Sequence, residues 1–129
     1  ALADASGRTT FVGDMSHDEV VRALGRYDAL LLPTRGENFG HAIFEALSAG
    51  CPVVISERTP WRNLAGAGGW DIPLENHAAW VHALQQLVDM PAAEHLATSR
   101  RARMLAEQRA ADPAVVEDNR RMFLRAARM

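Results

Sequence analysis

Two carboxylates, Glu37 and Glu45, are separated by seven residues and flank the predicted start of an apolar helix. Between residues 39 and 56, Glu45 carries the only formal charge. Burial of an unpaired carboxylate is costly, so we expect Glu45 to face a cleft or a polar partner. His41 lies four residues before Glu45, a spacing that puts both on one helix face. The pattern therefore indicates a polar site near the start of the helix.

Two glycines, Gly36 and Gly40, enclose the loop that leads into this helix. Glycine lets the backbone approach a ligand closely, and the unpaired N–H groups at a helix start favour an anion. The loop and helix start therefore suit an anionic ligand such as a diphosphate.

The helix, predicted over residues 40–49, lies between two continuous apolar runs at residues 28–33 and 52–56. Runs of this length are typical of strands covered on both faces. A further run at residues 8–13 contains Thr-Thr-Phe-Val and ends in glycine, which predicts another strand. Strands alternating with helices at this spacing indicate an α/β fold with a parallel, doubly wound sheet.

The helices have recognisable starts. Ser16 and Glu19 form a capping box that opens a helix to about Arg26. Asn76 caps a helix, and Pro91 takes the first position of the next one.

Within the third helix of the chain, the apolar residues at helical spacing predict the buried stripe. They are Trp80, Leu84, Leu87 and Val88. The fourth helix is predicted to reach about Ala110, and Asp112 with the following proline opens a final helix. The loop at residues 57–69 is predicted to contain a helical turn at 61–64, and residues 69–73 to form a short strand.

The loop and helix resemble the donor-site motif of the group 1 family of retaining glycosyltransferases, which have the GT-B fold. The residues that carry the resemblance are Gly-Glu-Asn-Phe-Gly at 36–40 and Glu-Ala-Leu-Ser-Ala-Gly-Cys-Pro-Val-Val at 45–54. The likeness extends over residues 10–13, 27–34, 59–62 and 69–70, more than half of the chain. Its spacing is more specific than that of a lone glycine-rich loop.

The resemblance implies a role for each residue of the motif. Glu37 would approach the donor sugar and act in catalysis, and Glu45 would bond the ribose hydroxyls of the nucleotide. Backbone amides from the loop would meet phosphate and sugar, at Asn38, Phe39 and Gly40.

Three further residues are candidates for the donor site. His41 either contacts the donor or merely lines the cleft. Gly13 and Asp14 follow a predicted strand at the edge where open α/β sheets bind ligands. In the family this loop reaches the nucleotide base, although a plain strand-ending turn is an equal alternative.

By resemblance, residues 1–129 form a single domain, the C-terminal part of a Rossmann-like donor-binding domain whose first two strand–helix units are missing. The acceptor would be held by an absent N-terminal domain, and we expect the fragment alone to be inactive. The partner is then a nucleoside diphosphate sugar, and the full-length protein a retaining glycosyltransferase. The alternatives are a GT-B sugar-nucleotide epimerase and a non-catalytic nucleotide-binding or assembly module.

The missing units also affect strand pairing. In the strand order 3-2-1-4-5-6, residues 8–13 would be the third strand and residues 28–33 the fourth, each without its usual neighbour. Unpaired strand edges tend to find partners, so the two strands could close on each other or pair across two chains. We expect a dimer formed by strand pairing.

Composition excludes several classes of function. A net charge of -2 argues against a nucleic-acid surface. No apolar run approaches the ~20 residues of a membrane span. A cytoplasmic protein is expected, and peripheral membrane contact through the arginine-rich C-terminal end of the chain is an alternative. No metal or cofactor is predicted, because no histidine has a metal-ligand spacing with a cysteine or carboxylate cluster. These histidines are His17, His77, His82 and His95.

Two bulky or reactive residues near the motif have structural interpretations. The lone cysteine, Cys51, is expected to be a small buried filler rather than a nucleophile. Trp61 follows Pro60 and either packs in the core or belongs to a rigid loop beside the donor pocket.

Overall fold

The structure, a computed structural model, describes residues 9–36 and 40–112. Its elements in chain order are α1 (His17–Leu24), β1 (Leu30–Leu32), α2 (Gly40–Ser48), β2 (Val53–Ser56), β3 (Gly69–Ile72), α3 (His77–Asp89) and α4 (Ala92–Ala111).

The three strands form one parallel sheet in the order β1-β2-β3. In its register, Leu31 pairs with Val54, and Val54 with Trp70. The predicted α/β class, a parallel sheet with flanking helices, is confirmed. The order is also the one expected for the last three strands of a Rossmann-like sheet.

The central strand β2 is buried on both faces, as its continuous apolar run predicts. Val53 and Ile55 belong to a core cluster shared with α1, α2 and α4. Val54 points the other way, into a second cluster with Ile72 and Ala83 beneath α3. Alternate residues of a strand face opposite sides, so a strand between two layers of helices needs apolar residues at every position.

Two glycines with positive φ allow α4 to lie close against the sheet layer. Gly50, with φ 76°, follows α2, and a Cβ there would lie 2.6 Å from the Ser99 Oγ atom. Gly68, with φ 105°, precedes β3, and a Cβ there would lie 2.6 Å from the Ala102 Cα atom. Side chains rarely adopt such backbone angles, so glycine is needed at both positions.

The predicted capping box is present at the start of α1. The Glu19 N–H donates to the Ser16 Oγ atom at 3.2 Å, and the Ser16 N–H donates to Glu19 Oε2 at 3.3 Å. The helix ends at Leu24, two residues before the predicted Arg26. The backbone of the first turn of α1 is therefore fixed by two reciprocal contacts.

The strand predicted at residues 8–13 is wrong for the part that the structure describes, residues 9–13. These residues form no strand, and Phe11 and Val12 are 66% and 61% exposed. A β-branched run becomes a strand only where another strand can complete its hydrogen bonds. Among the described residues β1 pairs only with β2, so closure of β1 on residues 9–13 is not observed. Pairing of this edge across two chains stays a prediction.

The helical turn predicted at residues 61–64 is also wrong. The Asp71 carboxylate accepts hydrogen bonds from the N–H groups of Asn63, at 3.2 Å, and Leu64, at 2.9 Å. Asn63 has φ 59°, which interrupts a right-handed helix. A side chain from β3 therefore satisfies two backbone N–H groups of this loop. The strand predicted at 69–73 is confirmed as β3.

The cap of α3 is as predicted, but the face of the helix that is buried differs from the predicted one. The Ala79 N–H donates to the Asn76 side chain, and Trp80 and Leu87 pack against the second core cluster. Leu84 and Val88 are instead exposed, and Ala83 takes the fully buried position. The small residue lets α3 approach the sheet.

Helix α4 begins one residue later than predicted, because Pro91 is its N-cap rather than its first residue. It ends at Ala111, and Arg100, Arg101 and Arg103 lie on its exposed face, as expected. The final helix predicted after Asp112 lies outside the described residues. No helix in the described part of the chain is both long and apolar enough to cross a membrane.

Candidate functional site

The site lies where β1 and β2 end, and its first part is a braced turn. The Thr34 hydroxyl donates to the Gly36 carbonyl at 2.7 Å and accepts from the Gly36 N–H at 3.1 Å. The Ser56 hydroxyl, fully buried at the end of β2, donates to the Thr34 carbonyl. The turn that opens the loop is therefore fixed to both strands, at the edge where open α/β sheets bind ligands.

Three predicted site residues, Glu37, Asn38 and Phe39, lie outside the described residues. Gly36 directly precedes these residues in the chain. A Cβ on Gly36 would meet no atom within 4 Å, so this glycine faces open space. On their far side, α2 begins at Gly40 and carries no acidic residue in its first turn. In contrast, α1 has Asp18 and Glu19 at its start. The first turn of α2 itself therefore has no carboxylate to compete with an anionic ligand.

The second predicted carboxylate, Glu45, contacts a polar side chain, that of His17. Its Oε1 atom lies 3.3 Å from Nε2 of His17, and its side chain is 24% exposed while that of His17 is 71% exposed. The expectation that Glu45 faces a cleft or a polar group is met. The partner, however, comes from α1 and not from His41, which is an exposed residue on the same helix.

Connectivity places the start of α2 at the carboxyl edge of the sheet. Helix α2 leaves the end of β1 and runs back toward the start of β2, so its first turn lies at the carboxyl edge. Glu45 follows Gly40 by five residues, about 7.5 Å along the axis at ~1.5 Å per residue. Helix α1 leads into β1 and packs on α2, so His17, its first residue, lies at that same edge.

The structure does not connect the other predicted residues to this pair. Gly13 has φ 80° and Asp14 is exposed, in a segment that is not a strand. Their predicted place at the carboxyl end of a strand is therefore wrong, and a contact with the nucleotide base stays a prediction. Arg35 and Arg62 are exposed cations in nearby loops, and neither forms an ion pair with a described residue.

Trp61 packs in the core. It is 4% exposed, its ring centroid lies 6.4 Å from that of Phe44, and the Arg109 guanidinium lies 4.5 Å above the ring. The core alternative for Trp61 is therefore the correct one. The stacked cation also joins α4 to the loop after β2.

Cys51 is buried, as predicted, and is no nucleophile. Burial raises the pKa of its thiol to about 11, with a smaller contribution from Asp28. A thiol with so high a pKa is protonated at neutral pH, and only the thiolate is reactive.

Neither a metal site nor the cavity lined by β3, α3 and α4 supplies further chemistry at this edge. Within residues 9–36 and 40–112, no group of histidine, cysteine and carboxylate side chains could hold a metal ion. A cavity of about 520 Å³ lies at the opposite end of the sheet, where β3 begins and α3 ends. Its lining includes Trp70, Gln85, Asp89, Glu94 and Arg101. The cavity is therefore separate from the candidate site.

The family model described as "Glycosyl transferases group 1" matches residues 2–107. The chain belongs to the group 1 glycosyltransferase family. The resemblance drawn from the motif at residues 36–54 is thereby confirmed.

This group 1 glycosyltransferase chain is similar to two proteins named glycogen synthase, from the CDC 1551 and H37Rv strains of Mycobacterium tuberculosis. Each is 33% identical over 112 residues, which cover 81% of this chain and 25% of the relative. The chain thus spans about a quarter of the length of these relatives. No solved structure matches it at a significant level.

Sequence reasoning considered His17 of this group 1 chain only as a metal ligand and overlooked it as a partner of Glu45. A usable signal was present. His17 precedes Val20 by three residues and Leu24 by seven, so the three share one face of α1. Since Leu24 and Val20 pack into the core cluster with α2, the face that carries His17 is turned toward α2.

Proposed function

We propose that this chain is the C-terminal part of the donor-binding domain of a retaining glycosyltransferase. The full-length protein would transfer a sugar from a nucleoside diphosphate donor to an acceptor held by another domain. The observation that carries the proposal is Glu45, a partly buried carboxylate on an otherwise apolar helix that begins at the carboxyl edge of the sheet.

Glu45 is suited to a ribose because a carboxylate accepts two hydrogen bonds side by side. The contact with His17 is made through Oε1, and no described residue donates a hydrogen bond to Oε2. Adjacent ribose hydroxyls would supply the donors that this carboxylate lacks. A hydrogen bond to a charged group contributes roughly 1.5 to 3 kcal/mol.

The diphosphate and sugar are assigned to the loop that joins β1 to α2. Residues 38–40 would offer backbone N–H groups to phosphate and sugar, supported by a first turn of α2 that contains no acidic residue. The turn at Thr34 and Gly36 is braced by Ser56, so the start of this loop is held in place before a ligand arrives. Such preorganised donors are worth most where charge develops during reaction.

Glu37 is assigned to the sugar rather than the nucleotide, since it precedes α2 while Glu45 lies within it. The leaving diphosphate would be stabilised by the loop and by cations from the preceding part of the domain, without a metal ion. The acceptor would attack the face that the diphosphate leaves, which gives retention. Neither Arg35 nor Arg62 is assigned to the diphosphate, because both are exposed and no contact directs them to the site.

Similarity to proteins named glycogen synthase favours sugar transfer over epimerisation or plain binding. To test this, the full-length protein is screened by thermal shift against nucleoside diphosphates and nucleotide sugars, and those that bind are assayed for transfer. We expect a raised melting temperature with one nucleotide series, and a product whose anomeric configuration is that of the donor. An inverted product, an epimerised nucleotide sugar, or binding without turnover would each contradict the proposal.

A further inference from the structure

We infer that His17 is a positioning residue for nucleotide binding, which holds the Glu45 carboxylate in place for the ribose. The inference deepens the proposed function and rests on it. It concerns the 3.3 Å contact between His17 Nε2 and Glu45 Oε1.

The carboxylate of Glu45 determines which nitrogen of His17 must carry a hydrogen in this contact. An ionised carboxylate can only accept hydrogen bonds, so Nε2 of His17 must carry a hydrogen to be attractive to it. The contact then occupies one lone pair of Oε1 and leaves the other lone pair, together with Oε2, for the two ribose hydroxyls. A glutamate side chain held at one oxygen is already restricted to few orientations before the nucleotide binds. Its loss of conformational entropy on binding is therefore smaller.

His17 itself is well anchored although its side chain is exposed. It is the first residue of α1, and the capping box between Ser16 and Glu19 fixes the backbone on either side of it. Three and seven residues later, Val20 and Leu24 fasten the same helix face to the core cluster shared with α2. The imidazole is therefore delivered to Glu45 from a fixed helix, not from a mobile loop.

The competing interpretation is an ordinary surface ion pair. Exposed pairs contribute little to stability, with a median near zero to ~1 kcal/mol. Such a pair would have no effect on the choice between a ribonucleotide and a nucleotide without ribose hydroxyls. A positioning residue would change that choice while leaving the fold intact, and this difference makes the inference testable.

The chain offers a matched control. His77 is the first residue of α3, as His17 is of α1, and it is also exposed and follows a side-chain N-cap. His77 has no ion pair within the described residues and is not assigned to the site. Replacement of either histidine by alanine removes the same side chain from the same helix position.

The experiment is calorimetric titration of the full-length protein with UDP, ADP and GDP and with the 2′,3′-dideoxy form of each. For the nucleotide that binds, His17→Ala should weaken affinity about three- to fivefold, the scale of one exposed charge contact. Affinity for the dideoxy form should not change. His17→Gln, which keeps an N–H donor at similar reach, should restore most of the loss, and His77→Ala should have no effect.

A double variant separates positioning from structural damage. If His17 acts through Glu45, then His17→Ala should cause no further loss in a Glu45→Gln background. The inference is overturned if His17→Ala leaves ribonucleotide affinity unchanged, weakens both nucleotide forms equally, or adds its full effect to that of Glu45→Gln. If the unaltered protein does not distinguish the two nucleotide forms, the ribose site fails and the inference fails with it. If it distinguishes them and only the His17 results are negative, the proposed function stands without the inference.

Discussion

Replacing Glu37 with Gln should lower the rate of sugar transfer by about 10- to 100-fold and leave nucleoside diphosphate affinity unchanged. The proposed role of this carboxylate is to contact the donor sugar, and loss of a hydrogen bond to a charged group costs roughly 1.5 to 3 kcal/mol. About 1.4 kcal/mol corresponds to a tenfold change in rate. The measurements are steady-state transfer with the full-length enzyme and calorimetric titration with the free nucleoside diphosphate.

Glu107→Gln is the matched control for Glu37, because it neutralises an exposed carboxylate on α4. It should change neither quantity. If Glu37→Gln reduces nucleotide affinity and transfer together, the two acids do not divide sugar and nucleotide between them.

Replacing Trp61 with Ala should destabilise the domain by about 3 to 5 kcal/mol, as expected when a large buried aromatic is truncated. The side chain is 4% exposed, and its loss removes the contacts with Phe44 and the Arg109 guanidinium. Thermal or denaturant unfolding of the full-length protein measures the effect. Since Trp61 belongs to the core and not to the donor pocket, the protein that remains folded should bind nucleotide normally.

Tyr27 provides the comparison for Trp61, since it is 63% exposed. Tyr27→Ala should change the free energy of unfolding by no more than about 0.5 kcal/mol, the usual limit for surface positions. A stable Trp61→Ala protein with weakened nucleotide binding would mean that Trp61 lines the donor pocket.

The elements that sequence predicted well are those specified by local signals. The capping box at Ser16, the cap at Asn76 and the glycine at Gly50 each define a helix end through contacts within a few residues. Strand β2, which is buried on both faces, was also predictable, because a strand covered on both faces must be apolar at every position. These features were sufficient to give the parallel sheet and its flanking helices.

The predictions that failed depend on partners distant in sequence. Residues 9–13 have the composition of a strand, but no described strand lies beside them. The loop after β2 is arranged by Asp71, whose carboxylate takes the N–H groups of Asn63 and Leu64. No pattern within the loop sequence predicts that Asp71 is the acceptor.

In the candidate site, too, the local feature was predicted and the partner distant in sequence was not. Glu45 was identified from its isolation on an apolar helix, and the structure shows a polar contact there. That the contact comes from His17 required knowledge of how α1 packs on α2. His41, the neighbour expected from helix spacing, is instead exposed.

Calorimetric titration of the nucleoside diphosphate into the full-length protein, with and without Glu45→Gln, tests the central claim most directly. This substitution keeps the shape of the side chain and removes its charge. We expect affinity to fall by ~1.5 to 3 kcal/mol, the range for a hydrogen bond to a charged group, or roughly 12- to 150-fold. Unchanged affinity would contradict the claim that Glu45 binds the donor ribose.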